Sequence, residues 1–402
     1  MSGEPAGFSF ADILAPVTEA EFFRDYHDRK PLHIPGRAEK FPAVMNRDIL
    51  TRLLNISSYW TPATLKLVRD RQPLPPAAYC QTAQTLDDPA GGVLRPDPGQ
   101  VRAHLEDGAS LVLNDIDSMT PSLASLADAL EAALDGKAQS NLYCSWKQRQ
   151  AFFSHFDTHD VYAIHFEGEK VWRLYRNRMP HPIRHPRFMS GGGDFDLKNR
   201  GELMTEVTMR PGDVLYLPRG WYHDALASSD CAIHIAFGIT GVIGLDAVNL
   251  LADAAINDEL FRRNLPRRAE GAAALAAHLA ALGDHLSELA RRPDIVESFT
   301  RFLGEFRYRR GGFSLPDGSR EIHYAVTPGF RVVRRENAWL LLSGNGRGFP
   351  LPPGIEDAVK WVVSRNRFAR SHFTASFPGP GAAALDRLLA DLQKAGVLRR
   401  ND

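Results

Sequence analysis

Two histidines and one aspartate, His155, Asp157 and His223, are the residues of this chain best suited to hold a metal ion. Imidazole nitrogen and carboxylate oxygen in that ratio suit mononuclear non-haem iron(II), because three ligands on one face leave positions open for substrate and oxygen. In His155-Phe156-Asp157 one residue separates the two ligand types, and on a β-strand positions i and i+2 project to the same side. The third ligand must then come from a distant strand. Arg210-Pro-Gly-Asp-Val-Leu-Tyr-Leu-Pro-Arg-Gly-Trp-Tyr-His223 reads as a tight turn, an apolar strand and a second turn, which places His223 at a barrel mouth.

A hairpin lies between these two elements. Asp160–Phe166 leads through Glu167-Gly168-Glu169 into Lys170–Tyr175. With Trp172 and Leu174 facing a barrel interior, period-two alternation turns Lys170 inward as well. A lysine inside a barrel is costly unless an anion accompanies it. A dicarboxylate cosubstrate is such an anion. The alternative is that Lys170 simply begins its strand at the surface.

The elements that must position these residues are short and β-like from 140 to 240. Runs at Asn141–Trp146, Asp160–Phe166, Lys170–Tyr175, Glu206–Met209, Asp213–Leu217 and Ala232–Gly238 are separated by turn residues, which predicts a barrel or jelly roll. Thr18-Glu-Ala-Glu21 opens a short helix in the manner of a capping box. Residues 72–98 are rich in Pro, Gly and Asp and read as loop. A helix is expected at 97–107, a strand at Ser110–Leu113 and a helix at 121–136. Residues 190–201, with Gly191-Gly192-Gly193, read as a flexible insertion. From 246 to 310 the chain is helical and Ala/Leu-rich. Beyond it, β-like pieces (Ile322–Val326, Phe330–Arg334, Trp339–Leu342) and helices near 354–365 and 382–395 predict a small α+β module.

Composition sets the frame. The chain has 402 residues, 44% hydrophobic and 24% charged, enough for two or three domains with a sizeable core. A formal net charge of zero weighs against a nucleic-acid partner. Cys80, Cys144 and Cys231 form no CxxC and suggest a reducing compartment. No basic, apolar leader opens the sequence and no apolar run is long enough to span a bilayer. A soluble, cytoplasmic protein without membrane contact is expected.

With these residues in view, the chain resembles the JmjC-type cupins of the ribosomal oxygenase group. The resemblance rests on His155-Phe-Asp157, on Phe166-Glu-Gly-Glu-Lys170-Val-Trp-Arg-Leu-Tyr175 and on Pro211-Gly-Asp-Val-Leu-Tyr-Leu-Pro-Arg-Gly-Trp-Tyr-His223, with Asn141 and Tyr143 at the family's position ahead of His-x-Asp. It covers roughly residues 140–240, and the Pro31-Leu-His-Ile34 segment and the order of the C-terminal half also fit. It implies an α+β fold: a double-stranded β-helix jelly roll in 1–245, a helical dimerisation region in 246–317 and a winged-helix-like domain in 318–402. It implies iron(II) held by His155, Asp157 and His223, and 2-oxoglutarate whose distal carboxylate meets Lys170. Asn141 and Tyr143 would line the cosubstrate or oxygen side. The implied activity is hydroxylation of a protein or peptide side chain, with a ribosomal protein as the substrate class and a homodimer as the assembly. Two departures touch the substrate side: Lys147-Gln-Arg-Gln-Ala-Phe-Phe-Ser154 lacks the Gly/Pro-rich loop common in the group, and His165 stands where glutamine is frequent.

Other candidates have plainer readings. His159 shares parity with the ligand pair, but a bend after Asp157 would leave it beside the ligands or exposed. His165 is expected as a hydrogen-bonded barrel residue. His234, on an apolar strand, reads as a core histidine, with the cosubstrate side as its alternative role. His181 and His185 read as surface residues, and Arg307-Tyr308-Arg309-Arg310 as a solvated basic face. Two other functions stay open on the residues alone: a metal cupin working as an isomerase or cosubstrate-independent dioxygenase, and a DNA-binding regulator acting through the C-terminal module.

Overall fold

A computed structural model describes residues 7–41, 44–83, 92–146, 153–190, 193–311, 321–335, 338–344, 347–379 and 381–401. Two compact units divide the chain, Met1–Gly312 and Phe313–Asp402. Most of the Lys147–Ser154 segment, Gly191 and Gly192 and the expected boundary at 317/318 lie outside the described residues.

Among its described residues the first unit carries the strands β1 (Leu32–Ile34), β2 (Leu65–Arg69), β3 (Gln72–Pro73), β4 (Cys80–Ala83), β5 (Val93–Pro96), β6 (Ser110–Leu113), β7 (Gly136–Trp146), β8 (Asp160–Glu167), β9 (Lys170–Arg178), β10 (Leu203–Met209), β11 (Val214–Leu217), β12 (Trp221–Ala227) and β13 (Cys231–Gly241). Eight form one sheet in the order β1-β11-β8-β13-β7-β6-β2-β3, and three form another in the order β10-β9-β12. All neighbours run antiparallel. This is the expected jelly roll.

Alternation sorts the side chains of the large sheet. On β13, Ile233, Ile235, Phe237 and Ile239 enter the main core, together with Leu142 and Cys144 of β7. Helices Phe10–Leu14, Glu19–Asp25, Arg47–Leu54 and Pro121–Leu134 cover that face and contribute Phe10, Phe22, Leu50 and Leu126. The opposite parity of the same strands faces the small sheet, where Val161, Ala163, Trp172, Leu174 and Leu215 form a second cluster. One strand therefore feeds both a helix-covered core and a cavity wall.

Turn chemistry fixes the β8–β9 hairpin. Gly168 has φ +68°, and a Cβ there would lie 1.8 Å from the Cys231 carbonyl oxygen. Asp213 has a structural part: its carboxylate accepts from the Gly36 amide at 2.7 Å and the Arg210 amide at 2.9 Å, and lies 3.1 Å from His33 Nε2. It thereby fastens the segment around β1 to the start of β11.

Several expectations need correction. Residues 72–98 are not plain loop: they hold β3, a short 3-10 turn at Pro76–Ala78 and the β4–β5 hairpin. Pro and Gly punctuate short strands there, and no long apolar run announces them. The 190–201 insertion contains a helix, Gly193–Asn199. At Thr18 only the hydroxyl-to-Glu21 amide half of a capping box forms, whereas Ser9 and Asp12 make a complete one. In the basic run, Arg310 is no solvated residue. Its side chain is 4% exposed and meets Asp117 at 2.9 Å, Asp128 at 3.0 Å and Glu131 at 2.8 Å.

After β13 come helices Gly244–Ala255, Glu259–Arg262, Gly271–Arg291 and Pro293–Glu305. The last two bury no residue, and Leu279 and Val296 are each 53% exposed. Among the described residues no helix is long and apolar enough to cross a membrane. In the second unit, strands His323–Val326, Arg367–Ala369 and Leu398–Asn401 form one small sheet and Arg331–Arg335, Ala338–Leu342 and Gly348–Pro350 another. Its own core gathers Tyr324, Val359, Val362, Phe373, Leu389 and Val397.

Candidate metal centre and its cavity

His155 and Asp157 precede β8 in an irregular stretch of chain, and His223 lies on β12. Two backbone hydrogen bonds join the parts: the His155 amide donates to the His223 carbonyl at 3.0 Å, and the His223 amide returns to His155 at 2.9 Å. The Gly220 amide donates to the Asp157 carbonyl at 2.8 Å. The Asp157 pairing holds the aspartate beside the two histidines, although 65 residues of chain separate it from His223. The expectation that His223 follows a turn at the mouth is sharpened: it belongs to a strand, opposite Leu174 of β9.

The ligand atoms of His155, Asp157 and His223 all lie within 4.8 Å of one another. His155 Nδ1 donates to the Phe153 carbonyl at 2.8 Å, and His223 Nδ1 to the Trp221 carbonyl at 2.9 Å. With Nδ1 carrying the proton, Nε2 keeps its lone pair for a metal. His223 Nε2 is 3.6 Å from Asp157 Oδ2. Burial and then the neighbouring His155 push His223 down to about 4, so the ring is neutral at ordinary pH. Burial pushes Asp157 up, but His155, His159 and His223 together hold it below the usual carboxylate range. Two imidazoles and one carboxylate in this arrangement fit a divalent iron.

The three residues line a cavity of about 160 Å³, whose far wall holds Lys170, Tyr143 and His234. Lys170 is 4% exposed, and its Nζ lies 3.5 Å from His234 Nδ1. Among the described residues no carboxylate comes within ion-pair distance of it. Desolvation pulls its pKa down to about 7. Trp172 and Leu174 share its parity and are buried in the inter-sheet cluster, so the inward reading of Lys170 prevails over the surface one. His234 is buried against the Tyr143 ring, with centroids 4.9 Å apart and planes 12° off parallel. Its pKa falls well below the ordinary value through burial and then the adjacent Lys170. Burial, followed by the charge of Asp157, raises Tyr143 to about 12. Asn141 lines the same cavity, and its Oδ1 accepts from the Asp115 amide at 3.3 Å. All seven residues singled out in the sequence therefore meet one cavity.

The remaining histidines divide. His159 lines the cavity but is not in the ligand cluster. Its ring lies over Gly238, where a Cβ would come within 2.4 Å of it. His165 is fully buried and its Nε2 donates to the Gly168 carbonyl at 3.0 Å, as a hydrogen-bonded barrel residue should. Sequence reasoning missed Gln139, Gly238 and Thr240 at the cavity wall. Parity could have found them: they lie two or more even steps along β7 and β13 from Asn141, Tyr143 and His234.

Comparison with known proteins agrees with this geometry. Residues 113–243 match the JmjC domain family. The chain is 30% identical over 266 residues to ribosomal oxygenase 1 of Rattus norvegicus, covering 64% of this chain and 42% of that protein. It is 26% identical over 231 residues to the bifunctional lysine-specific demethylase and histidyl-hydroxylase NO66 of Drosophila persimilis, covering 56% of this chain and 31% of the relative. The chain thus spans less than half the length of these curated relatives. The crystal structure of E. coli ycfD superposes with a TM-score of 0.51 at 19% identity, covering 96% of this chain and 98% of the other. That likeness concerns the fold.

Proposed function

From a chain whose residues 113–243 form a JmjC domain, we propose an iron(II)- and 2-oxoglutarate-dependent oxygenase that hydroxylates a protein side chain. The observation that carries the reading is one cavity lined both by a three-residue candidate ligand cluster and by a buried lysine that no carboxylate accompanies among the described residues. In this reading His155, Asp157 and His223 hold the metal on one face. Lys170 offers its ammonium to the distal carboxylate of the cosubstrate, and a buried charge-assisted bond of this kind orients as well as binds. Tyr143 and Asn141 flank that carboxylate's path, and neutral His234 supports Lys170 from behind. Bound iron supplies the oxygen activation, coupled to decarboxylation of the cosubstrate to succinate. The protein's own contribution is to fix the ligands, exclude water from the apolar wall around Trp172 and present the substrate's C–H bond at the open side.

The names of the relatives favour a protein substrate, and ribosomal oxygenase 1 favours a ribosomal one. The same reading assigns residues 1–245 to catalysis, 246–317 to homodimerisation and 318–402 to a winged-helix-like module. The exposed Leu279 and Val296 of the two long helices support the dimer. Lys170 discriminates between this chemistry and an isomerase or a cosubstrate-independent dioxygenase: Lys170→Ala should weaken 2-oxoglutarate binding, and unchanged binding would favour the alternatives.

Conversion of 2-oxoglutarate to succinate by the iron-loaded protein tests the reading. Turnover is expected, and His155→Ala should abolish it. Iron-loaded protein that neither binds nor converts 2-oxoglutarate would refute the proposal. Mass spectrometry of ribosomal proteins from cells with and without the gene should then show one added oxygen on a single peptide.

A further inference from the structure

The stretch carrying His155 and Asp157 belongs to no regular strand, so few bonds hold two of the three ligands in place. On the cavity side there is the pair of backbone bonds between His155 and His223. On the opposite side there is a second tie, made by the residues next to the ligands. Ser154 Oγ donates to Asp224 Oδ2 at 2.6 Å, and the Tyr175 hydroxyl donates to the same oxygen at 2.6 Å. Arg200, arriving just after the Gly193–Asn199 helix, closes the group. Its Nη1 donates to Ser154 Oγ at 2.5 Å and to the Tyr175 hydroxyl at 2.8 Å, and lies 3.6 Å from Asp224 Oδ2. Its guanidinium also stacks over the Tyr175 ring at 4.2 Å.

We propose that Arg200 is a positioning residue for the metal centre, clamping the segment that carries His155 and Asp157 onto the strand that carries His223 through Ser154, Tyr175 and Asp224. The inference rests on the metal-site reading given above.

The physical argument is one of charge and leverage. Asp224 is 4% exposed, and a buried carboxylate served by hydroxyls alone is costly. Arg200 is the only cation among the described residues within ion-pair distance of it. Ser154 and Asp224 are the immediate neighbours of His155 and His223, and neither they nor Tyr175 and Arg200 line the cavity, so the clamp holds the ligands from outside it. Removing Arg200 leaves Asp224 buried without a counter-charge. Water or a side-chain shift must then relieve it, and the Ser154 bond that pins the irregular segment is the first to yield. Supporting groups behind metal ligands typically change affinity by about 10- to 100-fold when lost.

The test titrates cobalt(II) alone into the metal-free full-length protein, recording affinity, the visible spectrum of the bound ion and the melting temperature before metal is added. Arg200→Met should weaken cobalt binding by about 10- to 100-fold and alter the spectrum, because the ligand geometry relaxes. Arg200→Lys, which keeps the cation, should recover part of the affinity. Unchanged affinity and spectrum in Arg200→Met would overturn the clamp, even with a lowered melting temperature, since its role would then be structural only. Should Arg200→Met not fold, Ser154→Ala decides on the same two readouts, with weaker binding expected and wild-type binding overturning the proposal. Failure of the wild-type protein to bind cobalt would instead overturn the metal-site reading, and the clamp with it.

Discussion

Lys170 and Arg310 are both cations withdrawn from water in the first unit, and their surroundings are opposite. The Arg310 side chain meets three carboxylates, Asp117, Asp128 and Glu131, and also donates to the Ala138 carbonyl. Burial opposes its charge, but bonds to Glu131, Asp117 and Asp128 outweigh that and raise its pKa above the ordinary value. Lys170 meets a neutral histidine, two aromatic rings within 6.0 Å and a cavity. Its pKa falls to about 7. A buried cation with its anions in place is part of the scaffold. A buried cation without them marks where an anionic ligand belongs.

Substitutions should separate the two. Arg310→Met leaves Glu131 buried without its counter-charge, and breaking such a group costs about 3–5 kcal/mol. Denaturant unfolding of the first unit should show that loss. Equal stability of wild type and variant would remove Arg310 from the scaffold.

Lys170→Met should act the other way. Stability should hold or rise, because an uncompensated charge leaves the interior. The KM for 2-oxoglutarate should rise by about 10- to 100-fold, the worth of one charged hydrogen bond at roughly 1.5–3 kcal/mol. The pH dependence follows from the same residue. Between about pH 7 and the ordinary lysine value of 10.5, the unfolded chain binds the proton that the folded one has lost. Its penalty on folding is therefore complete below about pH 7 and fades as pH rises, so ligand-free stability gains with pH across that window. Lys170→Met should flatten this gain. A melting profile with identical pH dependence in both proteins would contradict the depressed lysine.

Arg309→Ala gives the smallest effect and the sharpest contrast in position. It is exposed and one residue from Arg310, and a change there should stay within about 0.5 kcal/mol. A larger loss would mean that the whole basic run, not Arg310 alone, anchors this segment.

How far the sequence could be read varied with the kind of signal. The strands with clear alternation, from Asn141 to Gly238, were legible in type and in parity. That parity left Lys170 either inward beside Trp172 and Leu174 or at the surface start of its strand, and the buried cluster and the cavity decide for the inward face. Strand β12 was read as a turn followed by His223, because Trp221–Ala227 runs aromatic, then polar, then aliphatic and shows no period of two. The β4–β5 hairpin was hidden by its Pro and Gly content. Arg310 was misread because a basic run looks the same whether it is solvated or folded against acids elsewhere in the chain.

By itself the sequence determined the residue types of the candidate ligands, their spacing on one short segment and the jelly-roll class. These depend on local geometry, which residue order carries directly. Only the tertiary structure decided that Lys170 faces inward, that His223 lies within reach of His155 and Asp157, that His159 lies against Gly238 and not in the ligand cluster, and that among the described residues Lys170 has no carboxylate beside it while Arg310 has three. Those are facts about which distant segments become neighbours. They follow from packing and from sheet register, where a shift of one residue would have turned Lys170 and His223 to the other face of their sheet.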